Sequence, residues 1–109
     1  MHKHPNYEVG GHTVNHEILS YLDQKNLDLE IKNCIKYLRQ KIDKSINVFS
    51  YPEGKKNHFN LKVIKKLKKY KIIICPSAIY GCITKNQNSF HLKRKMVGFN
   101  NLKFPFKIK

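Results

Sequence analysis

Two histidines four positions apart are the residues of this chain with the clearest capacity for chemistry. His12 and His16 belong to the string Gly-Gly-His-Thr-Val-Asn-His at positions 10–16. Residues i and i+4 of a helix lie on one face, so a helical turn here would present both imidazoles to a single ion. Solvated or hydrogen-bonded surface histidines are the competing interpretation of so short a pattern. The spacing therefore predicts a candidate metal site.

The sequence around these histidines resembles the polysaccharide deacetylases, the NodB-homology or carbohydrate esterase family 4 domain. In that family a strand leads into His-[Ser/Thr]-x-x-His, followed by a Leu-Ser pair that opens a helix, as at positions 12–16 and 19–20 here. A second string, Val-Phe-Ser-Tyr-Pro-Glu-Gly at 48–54, is similar to the family's third motif in its Phe-x-Tyr-Pro-x-Gly form. A looser match at 90–97 resembles the Leu-x-Arg segment of some members.

The resemblance implies a hydrolase acting on carbon–nitrogen bonds other than peptide bonds, which removes N-acetyl groups from amino-sugar polymers. It matches His12 and His16 to the two metal-binding histidines of a divalent metal site, with Zn²⁺ as the expected ion. Glu53 matches the position whose backbone N–H serves the oxyanion, and Ser50 stands where the family commonly has an arginine that orients the base. A plain turn at the end of a strand is the competing interpretation of residues 51–54.

The family's first motif, an Asp-Asp pair, has no counterpart before His12. In the family this pair supplies the third metal ligand and the general base, but none of the eleven residues before His12 is an aspartate. We therefore expect residues 1–109 to form a single partial deacetylase domain, its C-terminal portion, with a basic tail at about 99–109. Such a chain is expected to be weakly active or inactive alone. A split gene, a mis-set start codon and decay all remain open as its origin.

The expected partners of such a portion are an amino-sugar polysaccharide substrate and either a complementary N-terminal chain or further copies of itself. The strong positive charge adds a second possibility. The chain has 22 Lys+Arg against 7 Asp+Glu, a formal net charge of +15. An excess of this kind attracts polyanions, so non-specific binding is expected, and a non-catalytic basic module for anionic polymer or nucleic acid is the alternative function. The lysines are spread along the chain, which favours a solvated surface over a binding code.

Hydrophobic periodicity predicts an α/β fold, specifically an incomplete (β/α) barrel fragment with parallel strands and amphipathic helices. A complete barrel typically needs ~200 residues or more. Strands are predicted at 7–10, 46–51 and 71–75, and helices at about 26–42 and 60–70. Residues 71–75 form a nearly continuous apolar run before Pro76 and predict a strand buried on both faces. A loop is predicted at 84–89.

The remaining candidate residues carry weaker expectations. Cys34, Cys75 and Cys82 are expected to be reduced thiols, the first two buried. His91 and Arg94 lie near the family's late motifs but are expected to be surface residues. The sequence contains no run of ~20 apolar residues and no apolar signal-peptide core, which predicts no membrane span. A cytoplasmic location is the default expectation, although full-length relatives are often exported.

Overall fold

The computed structural model describes residues 7–96, and within them two α-helices and a parallel sheet form the fold. The helices are α1 (Gln24–Ile42) and α2 (Leu61–Lys69), and the strands are β1 (Pro76–Tyr80) and β2 (Leu92–Arg94). A short 3-10 helix, Leu19–Tyr21, precedes α1. The predicted tail at about 99–109 lies outside the described residues.

Helix α1 confirms the predicted amphipathic helix and begins two residues before the predicted start. Asp23 caps it, because its side chain accepts a hydrogen bond of 2.8 Å from the Asn26 N–H. This satisfies one of the free N–H groups of the first turn. Asp43 ends the helix in the left-handed conformation, where its N–H donates to the Arg39 carbonyl. The apolar stripe between these ends packs into the core, where Leu27, Ile31 and Cys34 are buried and Leu38 and Ile42 partly buried.

Helix α2 confirms the second predicted helix, with Asn60 as its cap. The Asn60 side chain accepts a hydrogen bond of 3.0 Å from the Val63 N–H. Tyr70, just after the helix, donates a hydrogen bond of 2.5 Å to Asp28 of α1, and Lys66 lies 3.4 Å from the same carboxylate. The bond from Tyr70 holds the pKa of Asp28 below its usual range, while burial raises the pKa of Tyr70 to about 12. These contacts fasten α2 to α1.

Consecutive segments of the chain lie side by side in parallel. Isolated parallel bridges join Gly11 to Phe49 and Val48 to Ile74, and β1 then pairs in parallel with β2. The described helices lie between these segments in the sequence, as expected for parallel pairing, which needs long connections. The core on one side of this arrangement contains the fully buried Tyr51 and Phe49 with the inner faces of both helices. The fold class is therefore mixed α/β with parallel pairing.

The predicted strands are only partly present. Residues 7–10 are not in a strand, and residues 46–51 contribute bridges at two positions rather than a continuous ladder. The prediction that 71–75 is buried on both faces is wrong, because Ile73 is 59% exposed and Ile74 is 37% exposed. The regular strand begins at Pro76, where an absent N–H disturbs a ladder least.

Two further expectations concern the cysteines and the membrane. Cys34 and Cys75 are buried free thiols and Cys82 is an exposed one, as predicted. Burial raises the pKa of the Cys75 thiol to about 12, which makes it unreactive at neutral pH. Within residues 7–96, neither helix has the length and apolar composition of a membrane-spanning segment. The predicted loop at 84–89 likewise lies outside the helices and strands.

Candidate active site at the ends of the parallel segments

The two predicted metal-binding histidines lie together in a loop at residues 12–16, which we call the histidine loop. Their ring centroids are 5.0 Å apart, with the ring planes at 66°. Both side chains are exposed. The rings come together without a helical turn, because Thr13 and His16 adopt left-handed backbone angles, with φ of 68° and 57°.

Gly11 fixes where the histidine loop begins. A Cβ atom at this position would lie 2.6 Å from the Phe49 ring and 3.1 Å from the Cys34 sulfur. The glycine therefore permits close approach of the first parallel segment to the second. His12 follows Gly11 directly, at the carboxyl end of its segment, which is where parallel α/β folds place their binding residues.

Ser50 is the partner that orients His12, and its role was not anticipated. The Nδ1 atom of His12 lies 2.9 Å from the Ser50 carbonyl oxygen and 2.8 Å from the Ser50 hydroxyl. A carbonyl oxygen only accepts, so the contact is a hydrogen bond when Nδ1 carries the proton, and in that tautomer of the neutral imidazole the lone pair lies on Nε2. A metal-binding histidine is commonly held in this way by a backbone carbonyl. The signal available in the sequence was a short serine at position 50, where relatives of this kind commonly have a long arginine.

Glu30 of α1 anchors the other side of the histidine loop. Its carboxylate accepts hydrogen bonds from the Val14 N–H at 3.2 Å, the Asn15 N–H at 2.9 Å and the Asn15 side-chain amide at 2.7 Å. Glu30 was not identified from the sequence. The available signal was its position within the apolar stripe of α1, three residues after Leu27 and four before Cys34. A carboxylate on that face has to find polar partners.

The second candidate motif forms a tight turn at residues 52–54, which we call the Glu53 turn. The Gly54 N–H donates to the Pro52 carbonyl at 2.7 Å, and Glu53 between them has φ of 63°. The Gly54 carbonyl in turn accepts from the Ala78 N–H of β1 at 2.7 Å. The Glu53 side chain is exposed. The turn follows Phe49 and Ser50, so it lies at the same carboxyl end of the parallel segments as His12.

A divalent metal fits the two histidines as two of its ligands. The bond from Nδ1 of His12 to Ser50 leaves the nitrogen that binds metal free, and the ring spacing allows the two imidazoles to share an ion. Within residues 7–96, however, no group of three or more His, Cys, Asp or Glu side chains could hold a metal. The described residues therefore bring together two side chains that could bind a metal, without a third His, Cys, Asp or Glu beside them.

The other candidate residues are engaged elsewhere. The His91 ring contacts Phe59 with a centroid separation of 5.3 Å, and Arg94 donates a hydrogen bond of 2.6 Å to the Ser77 carbonyl. His58 accepts a hydrogen bond from the Lys55 N–H. His2 and His4 lie outside the described residues.

The basic face of α2 is partly committed to contacts within the protein. Lys66 and Lys69 lie 3.4 and 3.8 Å from the Asp28 carboxylate, and the Lys68 ammonium lies 5.3 Å above the Phe90 ring. These contacts give three of the lysines on this helix a structural role. Polyanion binding by the helix stays a prediction.

Comparison with known proteins shows the family to which the chain belongs. The sequence profile of the family described as polysaccharide deacetylase matches residues 1–72, more than half of the chain. The chain therefore belongs to the polysaccharide deacetylase family. The matched residues include the histidine loop, Ser50 and the Glu53 turn, whereas the looser match at 90–97 lies beyond them.

Two solved structures share the fold. The deacetylase PplD of Streptococcus pyogenes, solved in complex with acetate, matches with a TM-score of 0.74 and 19% identity, over 81% of this chain and 38% of PplD. A Bacillus anthracis protein described as a polysaccharide deacetylase matches with a TM-score of 0.64 and 25% identity, over 77% of this chain and 26% of that protein. The chain thus spans well under half of either protein. No curated protein matches its sequence significantly.

Proposed function

We propose that this chain carries part of the active site of a metal-dependent polysaccharide deacetylase, which hydrolyses the N-acetyl groups of an amino-sugar polymer. The observation that carries the proposal is the convergence of the His12 and His16 rings, 5.0 Å apart, in a chain of the deacetylase family. Their position at the carboxyl end of parallel segments supports it, because enzymes with parallel α/β folds use that end for binding.

His12 and His16 would hold the divalent metal, with Zn²⁺ as the expected ion. Ser50 would orient the His12 ring through its contact with Nδ1, so that Nε2 faces the metal. A bound zinc ion supplies a water of lowered pKa and polarises the carbonyl of the acetamide. Within the described residues no third His, Cys, Asp or Glu joins the pair as a metal ligand, and in this proposal two aspartates from another segment would supply the third ligand and the general base.

The backbone N–H of Glu53 would donate to the oxyanion that forms when the acetamide carbonyl is attacked. The Glu53 turn supports this proposal, because its backbone is fixed by two hydrogen bonds and its side chain points to solvent. A donor of this kind depends on the main chain, so a glutamate can stand at a position where relatives use another residue. Loss of one oxyanion donor costs about 2.7–4 kcal/mol in enzymes where it has been measured.

The chain would itself be an incomplete (β/α) barrel fragment, weakly active or inactive without the rest of the barrel. The side-by-side order of its parallel segments supports this interpretation. A second support is Thr13, whose Oγ1 atom is buried without a hydrogen-bond partner among the described residues. Thr13 lines a cavity of about 430 Å³ with Cys34, Tyr37 and Leu38, beside the histidine loop. A complementary segment that carries the aspartates would pack on this side.

Zinc titration by calorimetry tests the metal site. The chain is expected to bind Zn²⁺, and His16→Ala is expected to remove this binding because it leaves one imidazole of the pair. His58→Ala is the matched control, since this histidine contacts the backbone of its own loop and should leave zinc binding intact. Retention of wild-type affinity by His16→Ala would show that the pair is not the site.

Acetate release from chito-oligosaccharides in the presence of zinc tests the incomplete active site. We expect negligible release by the purified chain, because within residues 7–96 no third His, Cys, Asp or Glu joins the histidines as a metal ligand. Zinc-dependent release that disappears in His12→Ala would contradict this expectation and would mean that the chain supplies its own base.

A further inference from the structure

A carboxylate outside the two motifs, that of Glu30, accepts hydrogen bonds from the histidine loop. Glu30 lies on the buried face of α1 and is only 9% exposed, between the core residues Leu27 and Cys34. Its side chain therefore sits in a fixed environment rather than on a solvated surface. Burying a carboxylate is costly unless its oxygens are hydrogen-bonded, so its partners define what the residue does.

All of its hydrogen-bond partners given by the structure belong to the histidine loop. One carboxylate oxygen accepts from the Val14 and Asn15 N–H groups, at 3.2 and 2.9 Å. The other oxygen accepts from the Asn15 side-chain amide at 2.7 Å. Hydrogen bonds to a charged acceptor are stronger than those between neutral groups. The Glu30 carboxylate accepts three of them from two consecutive residues, Val14 and Asn15.

These bonds act between the two left-handed residues of the loop. Thr13, with φ of 68°, precedes the anchored pair, and His16, with φ of 57°, follows it. Non-glycine residues adopt this conformation only at a cost, and it persists where the surroundings impose it. The hydrogen bonds from Val14 and Asn15 to Glu30 are the contacts that hold the loop in this conformation from the side of α1. On the other side of the loop, His12 contacts the Ser50 carbonyl.

We propose that Glu30 is a positioning residue, which holds His12 and His16 in the geometry that binds metal without touching either ring. The proposal rests on the proposed function for its consequence, the metal affinity. Its structural part, the convergence of the two rings, can be measured without metal. Removal of an outer partner that orients a metal ligand typically lowers metal affinity by about 10–100-fold.

The test compares wild type with Glu30→Leu and Glu30→Gln at low ionic strength, where the net charge of +15 opposes association. Leucine suits the buried stripe but accepts no hydrogen bond, so it separates packing from loop anchoring. Glutamine keeps the shape and one acceptor oxygen. Two quantities are measured: the nuclear Overhauser contact between the His12 and His16 rings without metal, and the Zn²⁺ affinity. Thermal unfolding confirms that each variant is folded.

We expect the ring contact to be present in wild type, reduced in Glu30→Gln and lost in Glu30→Leu, with zinc affinity falling in the same order. The fall in Glu30→Leu should reach about 10–100-fold. Asp43→Asn is the matched control for the loss of one negative charge, because Asp43 is exposed at the left-handed end of α1, where asparagine is well tolerated. It should leave both quantities unchanged.

A double-mutant cycle with Asn15→Ala separates anchoring from simple charge attraction. If Glu30 acts through the loop, Asn15→Ala should cost less affinity in the Glu30→Leu background than in wild type. Additive effects, or a ring contact that survives in Glu30→Leu, would overturn the proposal. Absence of zinc binding in wild type, with the ring contact still dependent on Glu30, would instead refute the metal site and leave the positioning role standing.

Discussion

The histidine loop and the Glu53 turn lie at the same end of adjacent parallel segments, yet they are held in different ways. Both contain non-glycine residues with left-handed backbone angles. The histidine loop is fixed by side chains from distant positions, Glu30 of α1 and Ser50 of the neighbouring segment. The Glu53 turn is fixed by main-chain hydrogen bonds, one within the turn and one from Ala78 of β1.

This difference determines which substitutions each region tolerates. A region held by side chains loses its shape when a remote residue changes, even if its own sequence is intact. A region held by its backbone tolerates changes of exposed side chains but not changes that move the main chain. The two candidate contributions to catalysis, a metal site and an oxyanion donor, therefore depend on different parts of the sequence.

The largest effect, on the free energy of unfolding, is expected from Gly54→Ala, which disturbs the backbone of the Glu53 turn. Gly54 has φ of 73°, and an added Cβ would lie 2.8 Å from the backbone nitrogen of Ala78. The unfavourable φ alone costs about 1–3 kcal/mol, and the contact with β1 adds to it. Chemical denaturation should show a lower free energy of unfolding. Lys55→Ala, at the next and exposed position, is the control and should stay close to wild type.

An unchanged free energy of unfolding in Gly54→Ala would contradict the assignment of a rigid, backbone-held turn. It would mean that the 52–54 segment shifts away from β1 without penalty. The main-chain N–H of Glu53 would then lack a fixed direction, and its proposed role toward an oxyanion would lose its physical basis.

The sequence predicts the helices well because their signals are local. The apolar stripe of α1 and the capping side chain of Asn60 each act within a few residues, and both helices are found where they are expected. Residues 71–75 illustrate the limit. Their apolar run predicts burial on both faces, but burial depends on what covers the strand, and Ile73 is 59% exposed.

For the candidate metal site, the sequence points to two histidines but not to the residues that shape their loop. Residue type and spacing single out His12 and His16, whereas the partners that shape their loop come from 14 to 38 positions away. Glu30 carries a recognisable signal, a charge inside an apolar stripe, but nothing in the sequence states which loop it meets. The left-handed conformation of Thr13 and His16 follows from that tertiary anchor rather than from local preference.

A smaller effect is expected from Ser50→Ala, which removes one side-chain support of the histidine loop. The hydroxyl, 2.8 Å from Nδ1 of His12, is lost, but the carbonyl at 2.9 Å remains. Zinc affinity should therefore fall by less than the about 10–100-fold typical of losing a whole outer partner. Ser20→Ala is a matched control, since its hydroxyl bonds the Asn57 carbonyl. A loss in Ser50→Ala as large as that in Glu30→Leu would show that the hydroxyl, not the carbonyl, orients the ring.

The smallest effect is expected from Glu53→Gly. The left-handed conformation costs an ordinary residue roughly 1–2 kcal/mol, and glycine avoids this cost while gaining freedom in the unfolded chain. The two effects largely offset, so stability should stay within about 1 kcal/mol of wild type. Zinc affinity should not change, because the carboxylate is exposed and the main chain holds the turn. Glu17→Gln, an exposed glutamate next to His16, provides the comparison for loss of charge beside the histidines. If Glu53→Gly weakens zinc binding and Glu17→Gln does not, the Glu53 side chain contributes to the site, and the backbone alone does not account for the role of this turn.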